Sequence, residues 1–227
     1  PSVREKPPRH RRARILLALC WFVFLALYVA AASSYPGANH FDPDAQSYHL
    51  WRNFICDVLH VQTIGGHLNE DGAALGTAAM VALVPGYVCL WWLLPLFFPR
   101  RPRLGRAVRT LGLLSGVCMV GVALTPSNSL PVMHAVFILL AGAPGLSAAV
   151  LGAFGVLSGR AAPKLVVVLA AGMGLSASID MGLYIHHLVT GEMIVALPAI
   201  QKVAGLFFVA LMPVVAMMAP ATEDEAR

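Results

Sequence analysis

The sequence predicts an all-α fold, a polytopic membrane helix bundle with six transmembrane helices. Hydrophobic residues make up 58% of the 227 residues and charged residues only 12%, which is too few charges to cover a water-soluble globule of this length. Within lipid, only helices and closed barrels satisfy every backbone donor and acceptor, and the apolar runs here lack the strict alternation of barrel strands. Six runs approach or exceed the roughly 20 residues that cross a bilayer.

The six predicted spans follow one another with short connections, apart from one longer loop over 34–72 after the first span. The third span is the shortest. Pro85 and Pro95 fall in the second span and Pro144 in the fourth, which a bundle tolerates because neighbouring helices satisfy the freed carbonyls. A basic tail over 1–14 and an acidic tail over 220–227 flank one transmembrane domain over 15–219. The spans are predicted at 15–33, 73–98, 109–124, 131–157, 164–186 and 196–218.

Basic residues predict how the bundle is oriented. Of the sixteen Lys and Arg residues, all but Arg52 and Lys202 lie at the two termini, between the second and third spans, or between the fourth and fifth. The positive-inside rule therefore predicts a multi-pass protein of the bacterial inner (plasma) membrane with both termini in the cytoplasm. The apolar core of the first span is longer than the roughly 7 to 15 residues of a signal peptide, which favours an uncleaved span.

The sequence lacks the common catalytic and metal signatures. It contains no GxGxxG, Walker lysine, HExxH or GxSxG motif, which favours a protein that is not an enzyme. Cys20, Cys89 and Cys118 fall in predicted spans and Cys56 in the long loop, so no disulfide framework or CxxC pair is indicated. No aromatic residue interleaves with the basic tail, so we expect membrane lipids and not nucleic acid as partners. A protein partner or a homo-oligomer stays open.

The long loop carries a polar pattern of its own. A helix over 46–61 would place four polar side chains within about 80° of one another, because the helical period is 3.6 residues. Apolar residues between them would make this a short amphipathic helix at the outer interface, ended by the Gly65–Gly66 pair. The four residues of the predicted stripe are His49, Asn53, Asp57 and His60.

A second polar stripe lies near the end of the fifth span. Asp180, Tyr184 and His187 are spaced i, i+4 and i+7, so they share a helix face. A carboxylate inside a span is costly unless it faces the bundle and finds a partner, and His134 lies at a similar depth in the fourth span. We therefore expect a ligand-binding set on the outer side, formed by His49, Asn53, Asp57, His60, His134, Asp180, Tyr184 and His187.

The order of these elements resembles a known type of membrane protein. A first span, an outer YPG turn, the segment NFICDVL at 53–59, a second span and short later loops are similar to a prokaryotic family of uncharacterised six-span membrane proteins. That family is distantly similar to the damage-regulated autophagy modulator (DRAM) type. Asn53 and Asp57 match the motif, whereas Cys56 replaces the usual serine and Val58–Leu59 replaces Leu-Gly. The resemblance implies a six-span membrane fold and no established activity.

Three functions are compatible with the sequence. The favoured one is a membrane protein without enzymatic activity or cofactor, whose outer polar cap binds a lipid, a small ligand or a partner. The second is a metal-dependent intramembrane hydrolase of a lipid amide or ester, chemically analogous to the seven-span ceramidase and adiponectin-receptor superfamily. In that alternative His60, His134 and His187 would hold zinc, and Asp57 or Asp180 would be the catalytic base. The third is a proton-coupled transporter that uses Asp180 with His134.

Overall fold

The computed structural model describes residues 9–159 and 162–220 and confirms the all-α, six-span prediction. In these ranges the chain forms six helices that are long and apolar enough to cross a membrane, and it forms no β-strand. Most of the predicted basic tail and nearly all of the acidic tail lie outside the described residues. The helices are α1 Arg9–Ser34, α2 Glu70–Leu93, α3 Pro102–Leu124, α4 Pro131–Ser158, α5 Lys164–Thr190 and α6 Leu197–Met218.

The helix bounds differ most from the prediction at the start of α3. This helix begins at Pro102, seven residues before the predicted 109, because proline supplies the φ angle that a first turn needs. Arg109 is accommodated inside the helix: its guanidinium lies 5.0 Å over the Trp92 ring and Nε donates to the Trp92 carbonyl at 3.2 Å. The end of α5 also differs, because the helix continues beyond the predicted 186 to Thr190. Gly191 follows with a φ of 76°, which terminates the helix.

The helices pack as a ring with α2 towards its centre. Consecutive helices contact each other, and α1 also contacts α6, which closes the ring. α2 is the most buried of the six helices and additionally contacts α6. Small residues allow this packing: a side chain at Gly112 on α3 would collide with the buried Trp91 of α2, so only glycine lets the two helices approach so closely.

Residues 35–69, which we call the cap, cover the end of the bundle where α1, α3 and α5 end. The predicted helix over 46–61 is wrong in extent: only Ile55–Leu59 is helical, as a 3-10 helix. The physical reason is competition for backbone donors. The Asn53 side-chain oxygen accepts from the His49 N–H at 2.9 Å, and the Asp57 carboxylate accepts from the Phe54 N–H at 2.9 Å. These bonds fold the chain into turns before Ile55.

Candidate functional site

A cavity of about 370 Å³ lies at the cap end of the bundle, between the 3-10 helix of the cap and helices α4, α5 and α6. Its volume falls in the range of about 300–1,000 Å³ that small-molecule sites occupy. Residues of both predicted stripes meet here, because the cap folds over the helix ends that carry the second stripe. Six of the eight predicted ligand-binding residues line the cavity: Asp57, His60, His134, Asp180, Tyr184 and His187.

The other two predicted residues lie outside the cavity. His49 is exposed on the cap, and Asn53 is completely buried behind the cavity wall. Neither residue is among those that line the cavity. The predicted common face of His49, Asn53, Asp57 and His60 is therefore absent, since it required a continuous helix over 46–61. Their separate positions still bring Asp57 and His60 to the cavity while leaving Asn53 to organise the cap.

Asn53 and Asp57 form the polar centre of the cap. The Asn53 Nδ2 donates to the Asp57 Oδ2 at 2.9 Å and to the Ala38 carbonyl at 3.0 Å, while its Oδ1 accepts from the His49 N–H. The same Asp57 oxygen accepts from the Phe54 N–H. Every strong hydrogen-bonding group of the Asn53 side chain thus holds the cap together. This network fixes where the Asp57 carboxylate meets the cavity.

Lys202 of α6 anchors the cap to the bundle, a role that was not predicted from the sequence. Its side chain is only 5% exposed, its ammonium donates to the Asn53 carbonyl at 2.5 Å, and it lies 5.6 Å from the centre of the Tyr48 ring. The neighbouring Gln201 accepts from the Ile55 N–H at 2.7 Å through Oε1. A lysine inside a predicted span is itself a signal of a buried polar contact, and that signal was available in the sequence.

Two tyrosines complete the anchor from the side of α1. The hydroxyls of Tyr28 and Tyr48 are 2.8 Å apart, and the Tyr48 hydroxyl donates to the Phe54 carbonyl at 3.3 Å. The two rings meet edge to face with centroids 6.4 Å apart. Burial raises the pKa of Tyr48 far above its usual value, so the hydroxyl keeps its proton and can act as this donor. Tyr48 thus links α1 and α6 to the same segment of the cap.

His60 connects the cap to the turn between α3 and α4. Its Nε2 lies 2.7 Å from the Ser127 hydroxyl, and its backbone carbonyl accepts from the Asn69 side chain at 2.9 Å. Nδ1 is buried and has no hydrogen-bond partner within the described residues. Burial lowers the pKa of His60 below its ordinary 6.5, outweighing the opposite effect of the Asp57 charge. The folded protein therefore holds this ring neutral.

We expect His60 to make the fold sensitive to acid. Because its pKa is lower in the folded state, its contribution to stability is fully present above about pH 6.5 and is lost as the pH falls towards the folded pKa. The thermal midpoint of the wild type should therefore fall between pH 7.5 and 5.0, and His60→Gln should reduce that fall. His49→Gln, at an exposed histidine of the same cap, is the matched control. An equal pH response in wild type and His60→Gln would contradict this.

Two further cavity histidines are held in a defined tautomer by backbone carbonyls. His134 Nδ1 lies 2.5 Å from the Thr125 carbonyl, and His187 Nδ1 lies 2.9 Å from the Glu192 carbonyl. Since a carbonyl oxygen only accepts, Nδ1 carries the proton in both rings, which leaves Nε2 as an acceptor in the neutral imidazole. Both rings are thus oriented from outside the cavity by bonds that the sequence pattern did not indicate.

Asp180 and Tyr184 lie on the face of α5 that lines the cavity. Asp180 lies ten residues before the end of α5, which is about 15 Å along the helix at 1.5 Å per residue. Within the described part of the chain its carboxylate has no hydrogen bond and no ion pair.

Cys56 also lines the cavity, and burial together with the Asp57 charge raises the pKa of its thiol to about 12. The thiol is therefore protonated at neutral pH and is a poor nucleophile.

Metal ligation was the basis of the second predicted function. Among residues 9–159 and 162–220, no three His, Cys, Asp or Glu side chains are grouped so that they could hold one metal ion. Zinc at His60, His134 and His187 stays a prediction. No protein-family model, curated protein or solved structure matches the chain. The similarity to the DRAM type likewise stays a prediction, and the chemistry of the cavity rests on its geometry.

Proposed function

We propose that this chain is a non-enzymatic, multi-pass protein of the bacterial inner membrane that binds a small ligand or a lipid head group in the cavity beside the cap. In this proposal the cap faces outward and both termini are cytoplasmic, as the distribution of basic residues favours. Membership of the six-span family related to the DRAM type is part of the same proposal. Membrane lipids are the expected surroundings and an expected source of ligand.

One observation carries the proposal, namely the convergence of polar side chains from four separate elements on one cavity. Asp57 and His60 come from the cap, His134 from α4, Asp180 and Tyr184 from α5, and Gln201 from α6. Polar groups at this depth are costly unless something compensates them, so a bundle without a ligand would gain from apolar residues instead. A mainly apolar cavity with a few convergent polar groups is the usual form of a small-molecule site.

The proposal is tested by filling the cavity. Ala135 of α4 lines it, so Ala135→Phe would place a ring inside the cavity. Val132, one turn earlier on the same helix, is 73% exposed, and Val132→Phe is the matched control. Each variant is purified and its co-purifying small molecules are quantified by mass spectrometry. We expect Ala135→Phe to lower the bound ligand per protein by at least about tenfold, equivalent to about 1.4 kcal/mol, with no change in Val132→Phe.

Retention of the same small molecules at the same stoichiometry in Ala135→Phe would contradict ligand binding in this cavity.

One observation favours the hydrolase alternative: zinc-bound histidines usually donate their second ring N–H to a carbonyl or carboxylate, as His134 and His187 do here. Elemental analysis of the same preparations tests that alternative. Stoichiometric zinc in the wild type that is lost in His134→Ala would replace the proposed function by the metal-dependent one.

A further inference from the structure

The charged groups and oriented imidazoles of the cavity accept hydrogen bonds. Asp57 and Asp180 provide carboxylates, and His134 and His187 provide Nε2 atoms that are acceptors because their Nδ1 protons are given to backbone carbonyls. No lysine or arginine is among the described residues that line the cavity. The cavity is therefore complementary to a ligand that donates hydrogen bonds and carries positive charge.

Lys202 interacts electrostatically with both Asp57 and Asp180, but it is not among the residues that line the cavity. Its ammonium donates to the Asn53 carbonyl and lies over the Tyr48 ring, outside the set of residues that line the cavity. One positive charge near two carboxylates leaves one negative charge uncompensated. Asp57 is bonded to the Asn53 amide and the Phe54 N–H, whereas Asp180 has neither a hydrogen bond nor an ion pair within the described residues. Asp180 is thus the cavity carboxylate that interacts with Lys202 only at a distance and receives no hydrogen bond within the described residues.

The surroundings of Asp180 indicate the rest of the ligand. Tyr184 stands one turn further along α5 and also lines the cavity, and an aromatic face attracts an ammonium group. Polar side chains also line other parts of the cavity, but a separate part of its wall is aliphatic and thioether, which suits an alkyl chain. The apolar wall residues are Ile138, Met181, Leu188, Met193 and Leu197.

We propose that the ligand of this cavity is a primary alkylammonium ion, whose N–H groups are accepted by the Asp180 carboxylate beside the Tyr184 ring and whose alkyl chain contacts the apolar wall. This rests on the proposed function and names the chemical class of its ligand. The same chemistry is offered by a soluble alkylamine and by a long-chain amine that belongs to the bilayer. An anionic or zwitterionic head group would bring its negative charge close to Asp57 and Asp180.

Three probes of equal chain length separate charge from hydrophobic binding. Hexylamine, hexanol and hexanoate are titrated against the wild-type protein in phosphatidylcholine nanodiscs at pH 7.5, with binding followed by the thermal midpoint and by calorimetry. We expect hexylamine to bind at least about tenfold more tightly than hexanol, since hydrogen bonds to charged groups are stronger than neutral ones. Hexanoate should bind more weakly than hexanol. This comparison needs no variant, so it stands even where a substitution impairs folding.

Asp180→Asn then tests which carboxylate is responsible. We expect it to weaken hexylamine binding by at least about tenfold and to leave hexanol binding unchanged, because it removes the charge and keeps the shape. Glu192→Gln is the matched control, since Glu192 is an acid after the end of α5 whose side chain is 77% exposed. It should change neither affinity.

Four results would overturn the assignment. Hexanoate binding as tightly as hexylamine, or unchanged hexylamine binding in Asp180→Asn, would reject the alkylammonium ligand while the cavity-filling experiment could still support the proposed function. Zn²⁺ that displaces hexylamine and is itself lost in His134→Ala would assign the acceptors to a metal. Absence of binding by all three probes, together with unchanged co-purifying molecules in Ala135→Phe, would reject the proposed function as well.

The source of the ligand is settled by competition. Octadecylamine, incorporated at a few per cent into the same nanodiscs, either displaces hexylamine or leaves it bound. Displacement supports a lipid amine that reaches the cavity from the bilayer. Continued hexylamine binding supports a soluble amine that enters from the aqueous side at the cap end.

Discussion

Replacing Lys202 by methionine should lower the stability of the protein by about 3 kcal/mol and its thermal midpoint by about 6–12 °C. Methionine keeps most of the volume of the lysine stem, so the effect isolates the ammonium. Without it the buried Asn53 carbonyl loses its donor, and the negative charges of Asp57 and Asp180 lose the cation that interacts with both. Removing one partner of a buried charged set costs more than the set contributes, because the remaining charges stay buried. The midpoint is measured in detergent by intrinsic fluorescence.

Lys164→Met is the matched control, because Lys164 is exposed at the start of α5 and should contribute little. A second arm uses a double-mutant cycle with Asp57→Asn. If Lys202 acts by compensating the Asp57 charge, the two substitutions together should cost less than the sum of their separate costs. Additive costs, or a shift in Lys202→Met no larger than in Lys164→Met, would show that the ammonium does not anchor the cap.

The six helices could be predicted because the membrane imposes their length and composition. A run of about 20 apolar residues has one stable form in lipid, whatever its neighbours are. The start of α3 was predicted too late because Arg103, Arg106 and Arg109 interrupt the apolar run, although arginine stems can lie along a helix end while their charges reach polar groups. A hydropathy scale counts the charge of an arginine but takes no account of the length of its side chain.

The cap could not be predicted in the same way, since its conformation depends on side chains that bind backbone groups. Asn53 and Asp57 at i and i+4 are compatible with one helix face, and the same spacing lets each accept from a nearby N–H. Contacts from distant parts of the chain, such as those of Lys202 and Tyr28, decide whether this segment forms a continuous helix or a series of turns. The sequence indicates that Lys202 needs a buried polar partner, but it does not specify that this partner is the Asn53 carbonyl.

The cavity could be predicted less well than the helices but better than the cap. The stripe of Asp180, Tyr184 and His187 was predicted correctly as a shared face, because the helical period of α5 fixes it. That these residues come close to Asp57 and His60 was expected only because the sequence places both groups on the same side of the membrane. The hydrogen bonds that set the tautomers of His134 and His187 come from a turn and from the end of α5, where sequence spacing does not specify backbone orientation.

Asn53→Ala should have the largest effect of any substitution in the cap, about 4 kcal/mol. The Asn53 side chain is fully buried and makes bonds to the Ala38 carbonyl, the Asp57 carboxylate and the His49 N–H. Alanine would leave the His49 N–H without its acceptor, and an unpaired buried group costs about 1–3 kcal/mol. The Ala38 carbonyl and the Asp57 carboxylate would each lose one donor and keep another, from the Tyr35 hydroxyl and the Phe54 N–H respectively, so the rest of the cost is that of the lost bonds, the stronger of which is to the charged carboxylate. The matched control is Asn128→Ala, because Asn128 also donates to a backbone carbonyl, that of Gln62, but is exposed. We expect it to cost below about 1 kcal/mol.

Asn53→Asp distinguishes loss of these bonds from a general loss of packing. It keeps the shape of the side chain but places a second carboxylate where Nδ2 now lies 2.9 Å from the Asp57 Oδ2. Two carboxylates at that distance raise the pKa of one of them in the folded state, so the folded protein gains stability as the pH falls through that raised pKa. The variant should therefore be less stable than Asn53→Ala at pH 7.5 and should regain stability towards pH 5.5, in contrast to the wild type, whose His60 favours the opposite trend. A pH-independent Asn53→Asp, or an Asn53→Ala no worse than Asn128→Ala, would mean that the Asn53–Asp57 pair does not hold the cap that forms one wall of the cavity.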